Sequence, residues 1–177
     1  MPATRQPDAV ALLKADHRLV EELFDKFEAT NGKVTKAKLA QQICMELTVH
    51  QIIEEEVFYP GVKEFIDEEI YGEAYVEHDG SKVLLAEILE GSPDDEFYDA
   101  KVKVLSEMIK HHVKEEEQRD GMFAQAKRNG ADLVALGQEM SARKQELTAT
   151  FKRSGLPAPE TKVMKGAEVR HGELVEA

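Results

Sequence analysis

The length, composition and charge of the chain exclude several classes of protein. Its 177 residues suffice for one domain with a proper core and are few for two. A formal net charge of −12 disfavours nucleic acid and anionic membranes as partners. No apolar run approaches the ~20 residues of a membrane span or forms a signal peptide. Because Cys44 is the only cysteine, an intrachain disulfide and a cysteine-rich zinc site are also excluded. We therefore predict a cytoplasmic protein that binds neither nucleic acid nor membrane.

Four segments show apolar residues at alternating steps of three and four, the spacing of helices in a bundle. They cover about 8–29, 35–59, 67–89 and 98–117. Asp8 is an N-cap residue type and is predicted to start the first helix. Pro60 is predicted to end or kink the second.

A fifth helix is predicted over about 132–153, where charges dilute the apolar positions. It would either cover the bundle or form a contact in a homodimer. The stretch that follows has two prolines and no core-sized apolar face. The predicted organisation is a bundle over 1–130, the additional helix over 131–154, and an extended or disordered tail over 155–177.

Each of the four bundle helices carries one histidine on its apolar stripe. These are His17, His50, His78 and His112. Two of them are followed four residues later, on the same helix face, by a glutamate: Glu54 and Glu116. Burying four imidazoles and two carboxylates without compensation is costly, so the pattern predicts a metal site. Six mixed nitrogen and oxygen ligands exceed the four of a closed zinc site and suit two ions bridged by carboxylates.

The fourth helix offers two registers. The register through His111 would bury Lys101, whereas the register through His112 and Glu116 buries apolar residues throughout. We therefore predict that His112 and Glu116 face inward, with His111 at the rim or in solvent.

Two tyrosines and two acidic runs are the other polar features near these positions. Tyr71 and Tyr98 lie on inward stripes and could donate to a bound oxygen atom, although core packing is the simpler interpretation. In the acidic runs 54–56 and 115–117, most members are predicted to form a solvated face, and only Glu54 and Glu116 share a face with their histidine.

Four segments also match a known family in order along the chain. They are ALLKADHRLVEELF, VHQIIEEEVFYP, EHDGSKVLLAEI and HHVKEEE. Over about residues 8 to 125 they resemble the helices of hemerythrin-like, or HHE cation-binding, domains. The resemblance implies an all-α, up-down-up-down four-helix bundle holding two iron ions joined by an oxo or hydroxo bridge. By position the family ligands fall on His17, His50, Glu54, His78, His112 and Glu116, with the two glutamates as bridges.

One departure from the family stands on the third helix. Respiratory hemerythrins carry a further histidine one turn before the third-helix ligand, and here that position is Ala74. Glu73, Glu77 or solvent could take the place of the missing ligand. A more open iron pair is expected to react with oxygen sooner than to carry it reversibly.

Three functions remain open at this point. The favoured one is a di-iron protein that binds O2, NO or a related small ligand such as peroxide, in sensing, iron handling or stress response. The alternative is a di-iron oxidoreductase that consumes O2, peroxide or NO. A third is a metal-free bundle that acts through its fifth helix.

Overall fold

A computed structural model describes residues 7–166 and is helical throughout this range, with no strand among the residues described. The helices are α1 (Ala9–Ala29), α2 (Lys33–Ile53), α3 (Tyr59–Val62), α4 (Glu68–Glu90), α5 (Tyr98–Glu117), α6 (Met122–Arg128) and α7 (Leu133–Ser154). A π-helical turn, Glu54–Phe58, joins α2 to α3, and a 3-10 turn, Lys63–Phe65, follows α3. The predicted all-α fold is confirmed.

Helices α1, α2, α4 and α5 form the four-helix bundle. Helix α1 packs on α2 and α5, and α4 packs on the same two helices, which closes the ring. Only three residues separate α1 from α2, so these two must run in opposite directions. The side chain of Asp8 accepts a hydrogen bond from the Ala11 N–H at 2.8 Å, which makes it the N-cap that the sequence predicts.

The apolar core has two clusters, one towards each end of the bundle. One cluster includes Leu13, Ile53 and Ala74, and the other includes Val20, Leu47, Leu85 and Ile109. The four histidines of interest occur in sequence between members of the two clusters. The packing of both clusters therefore places polar residues at mid-height of the bundle, enclosed by apolar side chains.

Helix α7 packs across α1 and α2. Its buried Leu133, Met140 and Leu147 belong to the same core cluster as Leu13. A Cβ on Gly137 would lie 2.6 Å from the backbone nitrogen of Ala9, so only glycine allows this approach. Of the two alternatives for the fifth predicted helix, the structure shows the one in which it covers the bundle. The domain boundaries at 130 and 154 stay predictions.

The region around Pro60 and the C-terminal segment are the remaining parts of the described chain. Pro60 was predicted to end or kink the second helix; α2 ends earlier, at Ile53, a π turn follows, and Pro60 lies in the first turn of α3, which ends at Val62. Residues 155–166 have no regular secondary structure and bend at 162–163, whereas 167–177, including His171, lie outside the described residues. None of the helices in the described range is long and apolar enough to cross a membrane.

Candidate metal centre

Six side chains converge at mid-height of the bundle, and none is more than 5 % exposed. They are the six that the sequence singles out: His17 on α1, His50 on α2, Glu54 at the start of the π turn, His78 on α4, and His112 with Glu116 on α5. The apolar stripe of each helix turns these residues inward. The choice of His112 over His111 is confirmed, since the His112 side chain is 5 % exposed and that of His111 is 63 % exposed.

The four imidazoles form two pairs. The ring centroids of His17 and His50 are 4.9 Å apart, and those of His78 and His112 are 4.8 Å apart. Each glutamate contacts one histidine of each pair through the Nε2 atom. The carboxylate–Nε2 distances are 3.2 Å for Glu54–His50, 3.3 Å for Glu54–His78, 3.3 Å for Glu116–His17 and 3.4 Å for Glu116–His112. The two carboxylates therefore lie between two imidazole pairs.

The Nδ1 atom of each of these four histidines faces a different carboxylate. The distances are 2.7 Å for His17–Glu117, 3.5 Å for His50–Asp16, 3.0 Å for His78–Glu55 and 2.7 Å for His112–Glu77. A carboxylate at Nδ1 holds the proton there, fixes the ring and leaves Nε2 free to bind a metal. We call Asp16, Glu55, Glu77 and Glu117 the outer carboxylates.

Of the outer carboxylates, only Glu77 was predicted from the sequence to belong to the site. Most members of the two acidic runs were predicted to lie on a solvated face; this is wrong for Glu55, whereas Glu117 keeps 21 % of its side chain exposed. Glu55 is buried on the π turn, and Glu117 reaches from the end of α5 to His17 on α1. Asp16 was missed because it precedes His17 and does not share its helix face. It also pairs with Lys144 of α7, which ties the covering helix to the site.

Tyr59 is the main residue of the site that the sequence did not reveal. Its fully buried hydroxyl lies 3.0 Å from His78 Nε2 and 3.3 Å from His112 Nε2, and it donates to Glu116 Oε1 at 3.2 Å. The N–H of Tyr59 bonds to the carbonyl of Glu54, five residues earlier, as in a π-helix. This wider turn brings Glu54 and Tyr59 to the same side, which a regular 3.6-residue period does not.

Tyr71 and Tyr98 do not reach the site. The Tyr98 ring packs 6.4 Å from that of Phe27 in the other core cluster, and the Tyr71 hydroxyl meets only that of Tyr75, at 3.5 Å, among the described hydrogen bonds. Helical periodicity predicts the face of a residue but not its height along the bundle. Tyr98 precedes His112 by about 21 Å of helix rise.

The remaining candidates, His111 and Glu73, lie towards the surface. His111 Nε2 is 3.2 Å from Glu77 and 3.3 Å from Glu115, so it contacts an outer carboxylate and none of the six inner residues in the described contacts. Burial, together with the charges of Glu77 and Glu73, raises the pKa of Glu115. Glu73 is therefore an exposed member of this acidic surface group. It does not supply the ligand that is missing at Ala74.

The charges at the centre are strongly coupled. Burial by itself would lower the pKa of His50, but the carboxylates of Glu54 and Asp16 outweigh burial and raise the pKa to about 10. Burial opposes ionisation of Glu116, yet the adjacent His112 holds its pKa well below the usual range. Without a metal, protonated imidazoles thus neutralise the two buried glutamates.

Several polar atoms at the centre lie near one another but make no hydrogen bond of acceptable geometry within residues 7–166. They are His17 Nε2, both oxygens of Glu54, and Glu116 Oε2. Unsatisfied buried donors and acceptors are rare and costly. Two groups here could each hold a metal ion: His17, His50, Glu54 and Glu116, and secondly Glu54, His78 and His112. The nitrogen and oxygen donors present therefore fit a metal centre.

Residues 8–124 match the family described as the hemerythrin HHE cation binding domain. The chain belongs to the hemerythrin HHE family. It is 32 % identical over 118 residues to a protein named DNA nickase from Nostoc sp. (strain PCC 7120 / SAG 25.82 / UTEX 2576). That match covers 67 % of this chain and 33 % of the relative, so the chain spans about one third of the relative's length.

The fold of this HHE-family protein also matches a solved structure. A crystal structure of a hemerythrin HHE cation binding domain-containing protein, the Rv2633c homolog from Mycobacterium kansasii, superposes with a TM-score of 0.71. The sequence identity is 23 %, and the match covers 85 % of this chain and 95 % of the other. At this identity the comparison supports the hemerythrin-like bundle and no finer property.

Proposed function

We propose that this HHE-family protein holds two iron ions at mid-height of the bundle and binds O2, NO or peroxide there. The observation that carries the proposal is that Glu54 and Glu116 each contact one histidine of each pair. The ligands would be His17 and His50 for one ion and His78 and His112 for the other, with both glutamates between them. Two irons would supply reversible electron transfer and an open coordination position for a small ligand.

The donor set supports iron over other metals. Imidazole suits zinc, copper, nickel and iron, whereas carboxylates favour harder ions such as iron and manganese. Di-iron proteins of other helical bundles also combine glutamate and histidine from facing helices. The outer carboxylates add basicity to each imidazole, which strengthens binding of a cation.

The space at the centre supports a ligand of very few atoms. A cavity of about 10 Å³ adjoins the four histidines and is lined by apolar residues, with Gln51 and Asp16 as its other polar neighbours. Such a volume holds roughly one water-sized sphere. Val20, Leu47 and Ile109 form part of its wall. An organic substrate would not fit without a rearrangement, so a diatomic molecule or peroxide is the favoured ligand class.

A di-iron oxidoreductase is the second candidate, favoured by Ala74. Ala74 is buried and brings no donor to the position where respiratory hemerythrins have a histidine. The nearby Tyr59 hydroxyl can hold or give a proton beside His78 and His112. Steady consumption of peroxide or NO by the iron-loaded protein would favour the enzyme, and a spectrum that reverses on deoxygenation would favour the binding protein.

Several broader properties stay predictions. The activity named for the Nostoc relative is not proposed for this chain, because a net charge of −12 disfavours binding to nucleic acid. A cytoplasmic location and a homodimer also stay predictions.

The proposal is tested by loading the protein anaerobically with Fe²⁺ and counting iron per chain. We expect about two irons in the wild type and a large loss in His112→Ala, because His112 would ligate one ion. The matched control is the neighbouring His111→Ala, whose side chain is exposed and which should keep the wild-type iron content. Loss of iron in His111→Ala with retention in His112→Ala would contradict the assignment.

Tyr59→Phe is expected to change the visible spectrum of the iron-loaded protein while leaving its iron content close to wild type. The reason is that the Tyr59 hydroxyl contacts two proposed ligands and donates to Glu116, whereas the ring supplies the core packing. Absorption spectroscopy after exposure to air gives the measurement. Tyr71→Phe is the control, since its hydroxyl meets only Tyr75 among the described hydrogen bonds. Identical spectra for wild type and Tyr59→Phe would contradict a role at the metal.

A further inference from the structure

Residues 156–164 lie along the bundle as a segment without regular secondary structure, which we call the C-terminal strap. Leu156 packs against the core cluster that contains Val20, and two prolines follow at 157 and 159. Proline restricts the conformations of the unfolded chain, so these two residues lower the entropy cost of holding the strap in place. A cavity of about 180 Å³ lies between the strap and the bundle, and Glu55 and Lys82 are among the residues that line it.

The strap is anchored to one buried carboxylate. Three consecutive backbone N–H groups, of Lys162, Val163 and Met164, donate to Asp79 over distances of 2.7–3.0 Å. Asp79 is 0 % exposed and immediately follows His78 on α4. Successive N–H groups that converge in this way form an anion-binding concavity. The anion bound here is a side chain of the bundle itself.

A chain of charged hydrogen bonds leads from this anchor to the metal centre. The ammonium of Lys82 donates to Asp79 at 3.3 Å and to Glu55 at 2.6 Å. The same oxygen of Glu55 lies 3.0 Å from Nδ1 of His78. Lys82 and Glu55 are both less than 10 % exposed, so these contacts are poorly screened by solvent.

We propose that Asp79 and Lys82 are positioning residues for His78, and that docking of the C-terminal strap holds them in place. This inference rests on the proposed function, since His78 would be a metal ligand. With the strap docked, three N–H groups satisfy Asp79, so that Lys82 bonds chiefly to Glu55 and Glu55 orients His78. With the strap released, Asp79 loses these three donors and competes with Glu55 for the ammonium. Solvent then reaches Glu55 through the opened cavity, and His78 is held less firmly.

The test weakens the strap without altering the bundle. Val163→Pro removes the central N–H of the anchor, and Val163→Ala retains it. Val163 is 49 % exposed, so both variants should fold, and equal helical circular dichroism with a cooperative melting transition in the two metal-free proteins would establish this. Amide hydrogen exchange should show lost protection at 162 and 164 in Val163→Pro only, which reports release of the strap directly.

The decisive measurement is the rate at which a ferrous chelator removes Fe²⁺ from the anaerobically loaded protein. We expect Val163→Pro to release iron about tenfold faster than Val163→Ala, the low end of the effect of disturbing a ligand's outer hydrogen bonds. Where the docked strap also raises the equilibrium affinity for Fe²⁺, thermodynamic linkage requires Fe²⁺ to stabilise the docked strap, so Fe²⁺ should slow exchange of the strap amides in the wild type.

The outcomes separate this inference from the proposed function. Equal release rates in the two variants, with strap protection lost in Val163→Pro, would overturn the positioning role alone. A wild-type protein that takes up no Fe²⁺ would overturn the proposed function and the positioning role with it.

Discussion

Glu54→Gln is expected to lower the iron content from about two ions per chain to less than one. Glu54 is 0 % exposed and contacts His50 on one side and His78 on the other, so it would serve both ions. A neutral amide has the same shape but lacks the charge that offsets two cations in a site closed to water. Iron counted per chain after anaerobic loading gives the result. Because the metal-bound form is favoured by mass action, Fe²⁺ should also raise the melting temperature of the wild type more than that of the variant.

Glu56→Gln provides a matched control two residues further along the same acidic run. Glu56 is exposed and forms an ion pair with Arg143 on α7 at 2.7 Å, so this change removes one surface contact. Surface ion pairs contribute about 0–1 kcal/mol, and iron content should therefore stay at the wild-type value. Equal iron contents in Glu54→Gln and the wild type would remove Glu54 from the centre.

The metal-free protein is expected to lose stability as the pH rises from about 6.5 to about 10. Glu54 and Asp16 raise the pKa of His50 from 6.5 to about 10 in the folded chain. A group whose folded pKa is raised stabilises the fold fully below its unfolded pKa, and this contribution is lost as pH passes through the folded pKa. His112, beside Glu116 and Glu77, acts in the same direction. Melting temperatures measured across this pH range provide the test.

Metal binding should weaken this dependence of stability on pH. A metal ligand must be a neutral imidazole, so loading the protein at pH 8 should release the protons that His50 and His112 hold. A pH-indicator dye in weak buffer measures this release during an Fe²⁺ titration. The iron-loaded protein should then show a flatter dependence of melting temperature on pH, and His50→Gln should flatten that of the metal-free protein. Stability that is constant from pH 6.5 to 10 without metal would contradict the charge arrangement.

The inner residues of the site could be predicted because local periodicity controls them. On α1, α4 and α5 the steps of three and four place His17, His78 and His112 on the buried faces, and burial follows from the apolar neighbours. The same periodicity placed Glu116 one turn after His112. It does not give the level of a residue along the bundle, since Tyr98 shares the stripe of His112 and packs in the other core cluster, as its simpler interpretation predicts.

The sequence by itself therefore determined the helical class, the four inward histidines, the two glutamates beside them and the resemblance to the HHE family. The tertiary structure alone decided the surroundings of these residues. Glu117 meets His17 across 100 positions of sequence, and the strap amides meet Asp79 across more than 80. Such partners depend on how helices and loops meet in space, which no local pattern encodes. Tyr59 and Glu55 face the centre because a π turn interrupts the regular helical period.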